Sequence, residues 1–316
     1  MKDHFERVID YMRISITDRC NLRCRYCMPE DIEFVPHDNV LRYEEFIRLA
    51  KLFAKQGIRK IKVTGGEPLV RHGCQDFIRD LKSIDGIDNV TLTTNGVLLD
   101  RYLPDLLDAG VDAINISLDT MQKDKYFRIT GRDEFDQVWR GIQNTMAAGM
   151  KVKLNCVPIG GVNDDEIADF FELARKNPID VRFIEMMPIG HGREYDAVSV
   201  EDILDQLKNR YEGIEEIQRK KGNGPAVYFE NEEFRGSIGL IGAVHKKFCE
   251  SCNRIRLTSE GFLKLCLYYS DGVDLRSLVR GGASDEEITA VIAQAIANKP
   301  QEHHFSCDAV NTVDNM

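Results

Sequence analysis

From Tyr11 to Met187, short runs of β-branched and apolar residues alternate with longer stretches whose apolar positions recur at i, i+3 and i+4. That rhythm is the signature of βα units around a parallel sheet. The short runs predict six strands, at residues 12–16, 60–64, 89–93, 113–117, 151–157 and 181–185. The helical stripes are Phe46, Leu49, Ala50 and Phe53 in one segment, Leu103, Leu106 and Leu107 in a second, and Ile167, Phe170, Phe171 and Ala174 in a third. Such faces pack outside a curved sheet, and in barrels of this type the sites lie at the carboxyl ends of the strands. Six units fall short of a closed eight-unit barrel, so the expected fold is α/β, an incomplete (β/α)6 TIM-type barrel over residues 1–190.

After Pro188 the pattern changes. Ser199 with Asp202 and Ser284 with Glu287 read as capping boxes that start helices. Between them, residues 226–230, 234–241, 254–258 and 262–265 alternate like antiparallel strands, with turns at 222–225 and 259–261. Residues 191–316 are therefore expected to form a C-terminal α+β extension.

The chain has 316 residues, 43% of them hydrophobic, enough for a substantial core. No apolar run is long enough to span a bilayer, and residues 1–10 are too charged for a secretory signal. The expectation is a cytoplasmic protein with no membrane partner. A net charge of −10 argues against nucleic acid, which needs a basic face. An anionic small ligand would need a local basic cluster.

Nine cysteines include two separated triplets: Cys20, Cys24 and Cys27, then Cys249, Cys252 and Cys266. Three soft donors on one short loop fit an iron–sulfur cluster or zinc better than a hard-oxygen metal. Because zinc and fully ligated clusters take four protein ligands, three thiolates suggest a metal with an open position. Zinc stays open as an alternative, with His37 the nearest fourth donor at the first triplet and His245 at the second. Cys74 and Cys156 read as buried small hydrophobes, and Cys307 as a tail residue.

The first triplet, spaced Cys-x3-Cys-x2-Cys after the first strand, is followed by Gly65-Gly66-Glu67-Pro68 after the second strand. This pair resembles the radical S-adenosylmethionine superfamily. Adding 11–20, 63–68, Thr93-Thr94-Asn95-Gly96, Ser117-Leu118-Asp119, 182–185 and Cys249-x2-Cys252-Asn253-Arg254-x-Arg256 makes nearly the whole chain similar to the GTP 3′,8-cyclases of molybdenum cofactor biosynthesis. The resemblance implies two [4Fe–4S] clusters, one on each triplet, with S-adenosylmethionine at the first and GTP at the second. Motif by motif, it implies that Tyr26, Gly66, Ser117 and Met187 contact S-adenosylmethionine. Arg13, Lys62, Thr93, Lys153, Arg254, Ile255 and Arg256 would contact GTP, with Arg13, Arg254 and Arg256 in the catalytic role. It further implies an electron donor such as flavodoxin or ferredoxin, and a homodimer.

Two departures stand out. Lys62 occupies a position where relatives often carry arginine, which exchanges a bidentate fork for a point charge. The sequence closes on Val313-Asp314-Asn315-Met316, where relatives end in a Gly-Gly tail. Truncation and a weakened paralogue are both open readings of that ending. Two further readings compete: a radical enzyme acting on a peptide, and a binding protein with zinc at both triplets.

Overall fold

The structure is a computed structural model that describes residues 1–28, 32–219, 221–244 and 247–305. His245, Cys307 and residues 313–316 lie outside the described residues. Twelve strands among the described residues form one sheet. They are β1 (Tyr11–Ser15), β2 (Lys60–Thr64), β3 (Asn89–Thr94), β4 (Ala113–Ser117), β5 (Val152–Cys156), β6 (Asp180–Ile184), β7 (Glu215–Glu216), β8 (Val227–Glu230), β9 (Ser237–Ile241), β10 (Arg254–Leu257), β11 (Phe262–Lys264) and β12 (Gly272–Asp274). The order is β12-β11-β10-β1-β2-β3-β4-β5-β6-β9-β8-β7. The protein therefore has an α/β fold with a large, mainly parallel sheet.

All six predicted strands are present. The C-terminal strands differ from expectation in direction: β10 runs parallel to β1, and β9 parallel to β6. Only β8 on β9, and β11 on β10, are antiparallel, as are the outermost pairs. The reason is edge pairing. The free edges of β1 and β6 expose backbone donors and acceptors that must find partners, and the C-terminal third supplies one strand to each.

The helices are α1 (Tyr43–Lys55), α2 (Cys74–Lys82), α3 (Leu99–Asp108), α4 (Lys123–Thr130), α5 (Phe135–Ala147), α6 (Ile167–Lys176), α7 (Val200–Arg210), α8 (Leu275–Arg280) and α9 (Asp285–Ala297). Alternate strand residues such as Met12, Ile14, Ile61, Val63, Ile114, Leu154 and Phe183 are buried in one apolar cluster with Phe46, Phe53, Phe77, Phe170 and Phe171 of the helices. Strand periodicity sends the intervening residues to the other face, and these are largely polar. Cys74 and Cys156 are buried, as expected.

Two local expectations need correction. Leu107 is 38% exposed, because α3 buries Leu99, Leu103 and Leu106 and the helical period carries position 107 toward the rim. The Ser284 and Glu287 box is reciprocal. At Ser199 only the serine oxygen accepts, from the Asp202 amide, since aspartate is one methylene shorter than the glutamate such a box favours.

Glu45 joins α1 to α8: Arg280 donates to both its oxygens at 2.8 and 3.0 Å. That pairing holds the Glu45 carboxyl down at about 2. Arg280→Met should cost about 1 kcal/mol at neutral pH, discounted for the partly exposed arginine. A carboxyl lowered in the fold contributes stability that is complete above its unfolded value of 4.5 and fades as pH falls toward about 2. Melting curves of parent and variant should converge over that interval, and a constant gap would show that the pair is not the cause.

Candidate functional site

The first cysteine loop leaves the carboxyl end of β1 and is tied down on two sides. The Arg23 and Arg25 amides donate to the Thr130 and Ile129 carbonyls at the end of α4. On the other side, the Gly66 and Glu67 amides donate to the Thr17 and Arg19 carbonyls, each at 2.8 Å. A Cβ on Gly66 would lie 2.4 Å from the Arg19 oxygen, so the glycine pair is required for the two loops to touch. Glu67, fully buried, then accepts from the Leu69 amide, the Thr94 hydroxyl and the Asn95 amide. The Asn95 side chain donates to the Cys20 sulfur at 3.6 Å. Burial outweighs these donors and pushes the Glu67 carboxyl up to about 7.

Burial, the nearby Asp119 and the other two thiols raise Cys24 well above the usual thiol range, and Cys27 is pushed up to about 11 by burial and Cys20. The three sulfurs thus share one environment. Among the described residues, no group of three or more His, Cys, Asp and Glu is arranged to hold a metal ion. Three soft donors on one loop are the type of ligand set that a cluster would take. His37 sits exposed on a short turn after this loop. Tyr26 donates to Asp119 at 2.7 Å, and Asp119 also accepts from the Val157 amide, so loops after β1, β4 and β5 meet there.

The polar face of the sheet carries the other expected residues, and parallel register aligns them. Tyr11 pairs with Arg254 and Arg13 with Arg256. Arg13 pairs with Lys62, Lys62 with Thr91, Thr93 with Asn115, and Asn115 with Lys153. Ser117 ends β4, while Met187 lies just past β6. Arg182, on β6, donates to the Asn115 side chain. Six cations, Arg13, Lys62, Lys153, Arg182, Arg254 and Arg256, therefore share one chamber. Burial, then Arg182 and Arg13, force the Lys62 ammonium well below its usual range, and burial with Arg13 lowers Arg256 to about 9. Among the described residues, Asp180 is the carboxylate that approaches Lys153, at 3.5 Å.

Five buried polar atoms on this face lack a hydrogen-bond partner among the described residues: Arg13 Nε, Arg182 Nε, Thr91 Oγ1, Thr93 Oγ1 and Asn155 Oδ1. Buried polar groups are normally paired, so a row of orphans facing one space marks a polar ligand site. A cavity of about 830 Å³ lies on the amino-end side of this face, lined by Tyr11, Lys62, Thr91, Lys153 and Arg182 and reaching Lys221 and Tyr228, while Arg13, Thr93, Asn155, Arg254 and Arg256 lie beyond its lining. Most of the expected residues thus sit along and below the middle of the strands, not at their carboxyl ends. Ile255 is the exception in orientation. It alternates to the opposite face and is fully buried in the apolar core, so its side chain is not brought to the chamber.

The second triplet flanks the start of β10. The Tyr11 amide donates to the Asn253 carbonyl, and the Asn253 side chain donates to Asp10. Burial acts upward on the Cys252 thiol, but Lys299 and Arg254 together pull it below its usual value. The two triplets lie at opposite ends of β1, separated by at least its five residues, a rise of about 16 Å. The chamber occupies the interval.

Residues 14–174 match the Radical SAM superfamily model, and residues 179–305 match Molybdenum Cofactor Synthesis C. GTP 3',8-cyclases of Heliobacterium modesticaldum and Moorella thermoacetica are each 46% identical, over 96% of this chain and 95% of theirs. That of Clostridium perfringens strain SM101 is 44% identical over the same shares. The chain belongs to the GTP 3',8-cyclase family. It is an enzyme of the radical S-adenosylmethionine type, which implies a [4Fe–4S] cluster and S-adenosylmethionine. Streptococcus suis SuiB bound to S-adenosylmethionine shares the fold, with a TM-score of 0.64 at 13% identity over 95% of this chain and 77% of that one. No helix among the described residues is long and apolar enough to cross a membrane.

In this cyclase-family chain Arg182 and Thr91 were not singled out from sequence, although Arg182 stood within a matched motif. Inward alternation of cations along successive strands was the available signal. Tyr228 was missed as well. It accepts from Lys153 Nζ at 2.9 Å, and it fits because Gly239, whose Cβ would lie 2.9 Å from the tyrosine ring, leaves room.

Proposed function

We propose that the chain converts GTP to 3′,8-cyclo-7,8-dihydro-GTP, the first step of molybdopterin biosynthesis. What carries this reading is the row of unpartnered polar atoms among six cations, set between two cysteine triplets. A triphosphate supplies the negative charge that this chamber lacks, and charge-assisted bonds to guanidinium and ammonium groups are about twice as strong as neutral ones. A peptide substrate would leave that charge unanswered.

Cys20, Cys24 and Cys27 would hold one [4Fe–4S] cluster and Cys249, Cys252 and Cys266 a second, with Tyr26, Gly66, Ser117 and Met187 contacting S-adenosylmethionine. A cluster held at the first triplet would supply the electron for reductive cleavage of S-adenosylmethionine into methionine and a deoxyadenosyl radical. The protein's own part is to bind and orient. Arg13, Lys62, Thr93, Lys153, Arg254 and Arg256 grip GTP, joined by Arg182 and Thr91. Lys62 gives a point charge where a fork would grip better. Arg13 and Arg256, on adjacent strands at one level, fix the nucleotide against the β1 side of the chamber.

The finer fold reading belongs here too: a six-unit partial barrel over 1–190 and an extension over 191–316 that carries the second cluster. The sheet order supports it, since β1 and β6 pair outward and do not meet each other. A flavodoxin or ferredoxin donor, a homodimer and a cytoplasmic setting complete the proposal. The test is anaerobic reconstitution followed by iron and sulfide assay and GTP titration. About eight irons per chain with GTP binding is expected for two four-iron clusters. Eight irons without GTP binding would sink the substrate assignment, and zinc without sulfide would sink the chemistry.

A further inference from the structure

Two more cations are buried outside the chamber. Arg7, 8% exposed, donates from its guanidinium to the carbonyls of Cys249 at 2.9 Å, Gln301 at 2.7 Å and Pro300 at 2.6 Å. Its Nε donates to the Asp3 carboxylate at 2.6 Å. Lys299, 2% exposed, donates through its ammonium to the carbonyl of Leu265, the residue before Cys266. One cation therefore holds the backbone arm that carries Cys249, and the other holds the arm that carries Cys266. These arms come from a short turn before β10 and from the far end of β11. The two tethers add to the β10–β11 ladder and to the bond from the Cys252 amide to the Cys249 carbonyl, which already hold the arms near one another.

The charges are not equally matched. Arg7 is neutralised by Asp3, whereas among the described residues no carboxylate lies within ion-pairing distance of Lys299. A buried ammonium with one carbonyl acceptor is strongly unfavourable unless an anion sits close by. The charge of Lys299 acts on Cys252 and Cys266, which as ligating thiolates would supply such an anion. A four-iron cluster held by three thiolates carries net negative charge, and more of it once reduced. An adjacent buried cation favours the reduced form, because charge near a cluster is one of the levers that set its potential.

We propose that Lys299 is the counter-ion of the group held by Cys249, Cys252 and Cys266, that it raises the reduction potential of that group, and that Arg7 is its partner in positioning the triplet. This rests on the reading that the second triplet holds a four-iron cluster. Neither residue touches substrate, so both are positioning residues.

The test uses the full chain carrying Cys24→Ser, in which only the second triplet can load, reconstituted anaerobically. Iron and sulfide are assayed and the cluster's paramagnetic signal is titrated against potential. In this parent about four irons are expected. Adding Lys299→Met should lower the reduced-to-oxidised ratio at fixed potential about tenfold, a downward shift of about 59 mV for one electron. Lys299→Arg should restore the parent potential. The iron-free Lys299→Met chain should melt no lower than its parent, because an uncompensated charge has been removed. An unchanged potential in Lys299→Met overturns the inference, as does an Arg variant that behaves like Met, which would make shape and not charge the cause. A parent that takes up no iron overturns the two-cluster reading itself, and this inference with it.

Discussion

Cys24→Ser is expected to abolish reductive cleavage of S-adenosylmethionine and to lower reconstituted iron from about eight to about four per chain. Cys24 sits at the turn of the loop, where its carbonyl accepts from the Cys27 and Met28 amides, so the backbone should survive the exchange. What is lost is a soft donor, and a serine oxygen is a poor substitute for thiolate on iron. No described cysteine can stand in, because Cys74 is buried at the start of α2 and Cys156 at the end of β5. Cys20→Ser and Cys27→Ser should behave alike. A variant that kept full cleavage would refute the assignment of these three thiols as ligands, whatever its effect on GTP turnover.

Arg13→Met should move two measurements in opposite directions. Arg13 lies between Lys62 and Arg256 on the polar face, and burial together with Arg254 and Arg182 lowers its basicity. Its Nε has no partner among the described residues. Exchanging it for a methionine of similar length breaks no internal bond there and relieves repulsion among cations, so the ligand-free protein should melt at a higher temperature. The GTP affinity should meanwhile fall about 10- to 100-fold, the weight of one charge-assisted bond of roughly 1.5–3 kcal/mol. Thermal melts and GTP titration on the same sample decide it. An unchanged affinity would remove Arg13 from the nucleotide site, and a drop in melting temperature of several degrees would make it a structural residue. Such opposition is expected wherever binding groups are held in place at the expense of the empty fold.

The two parts of the chain were not equally legible. The six strands could be read because each carries apolar residues on its helix-facing side, and the first cysteine loop because its spacing is local. The direction of β9 and β10 could not be read, since alternation along a strand looks the same whichever way its neighbour runs. Their partners lie far off in sequence: Arg254 is in register with Tyr11, and Ser237 with Asp180. The cations of the chamber were named mostly through motif resemblance, and Arg182 waited for the sheet register to line it up with the others. Arg7 and Lys299 left no trace in the pattern at all. Arginine and lysine are exposed by default, and only the fold reveals that these two are enclosed beside the second triplet. Ile255, between Arg254 and Arg256, shows how alternation divides a short run: its side chain lies in the apolar core while theirs face the other side of the sheet.

β1 works as a ruler. One triplet is suspended from its far end and the other is laddered to its beginning through β10, so the gap between the two centres is counted in residues of a single extended segment. Extended chain resists stretching, and the helices behind it leave no slack. Lengthening or shortening β1 by a pair of residues would keep every side chain on its proper face yet shift one centre relative to the other by about 7 Å, more than the length of a ribose. The spacing between the two cysteine triplets is thus written into five amino acids.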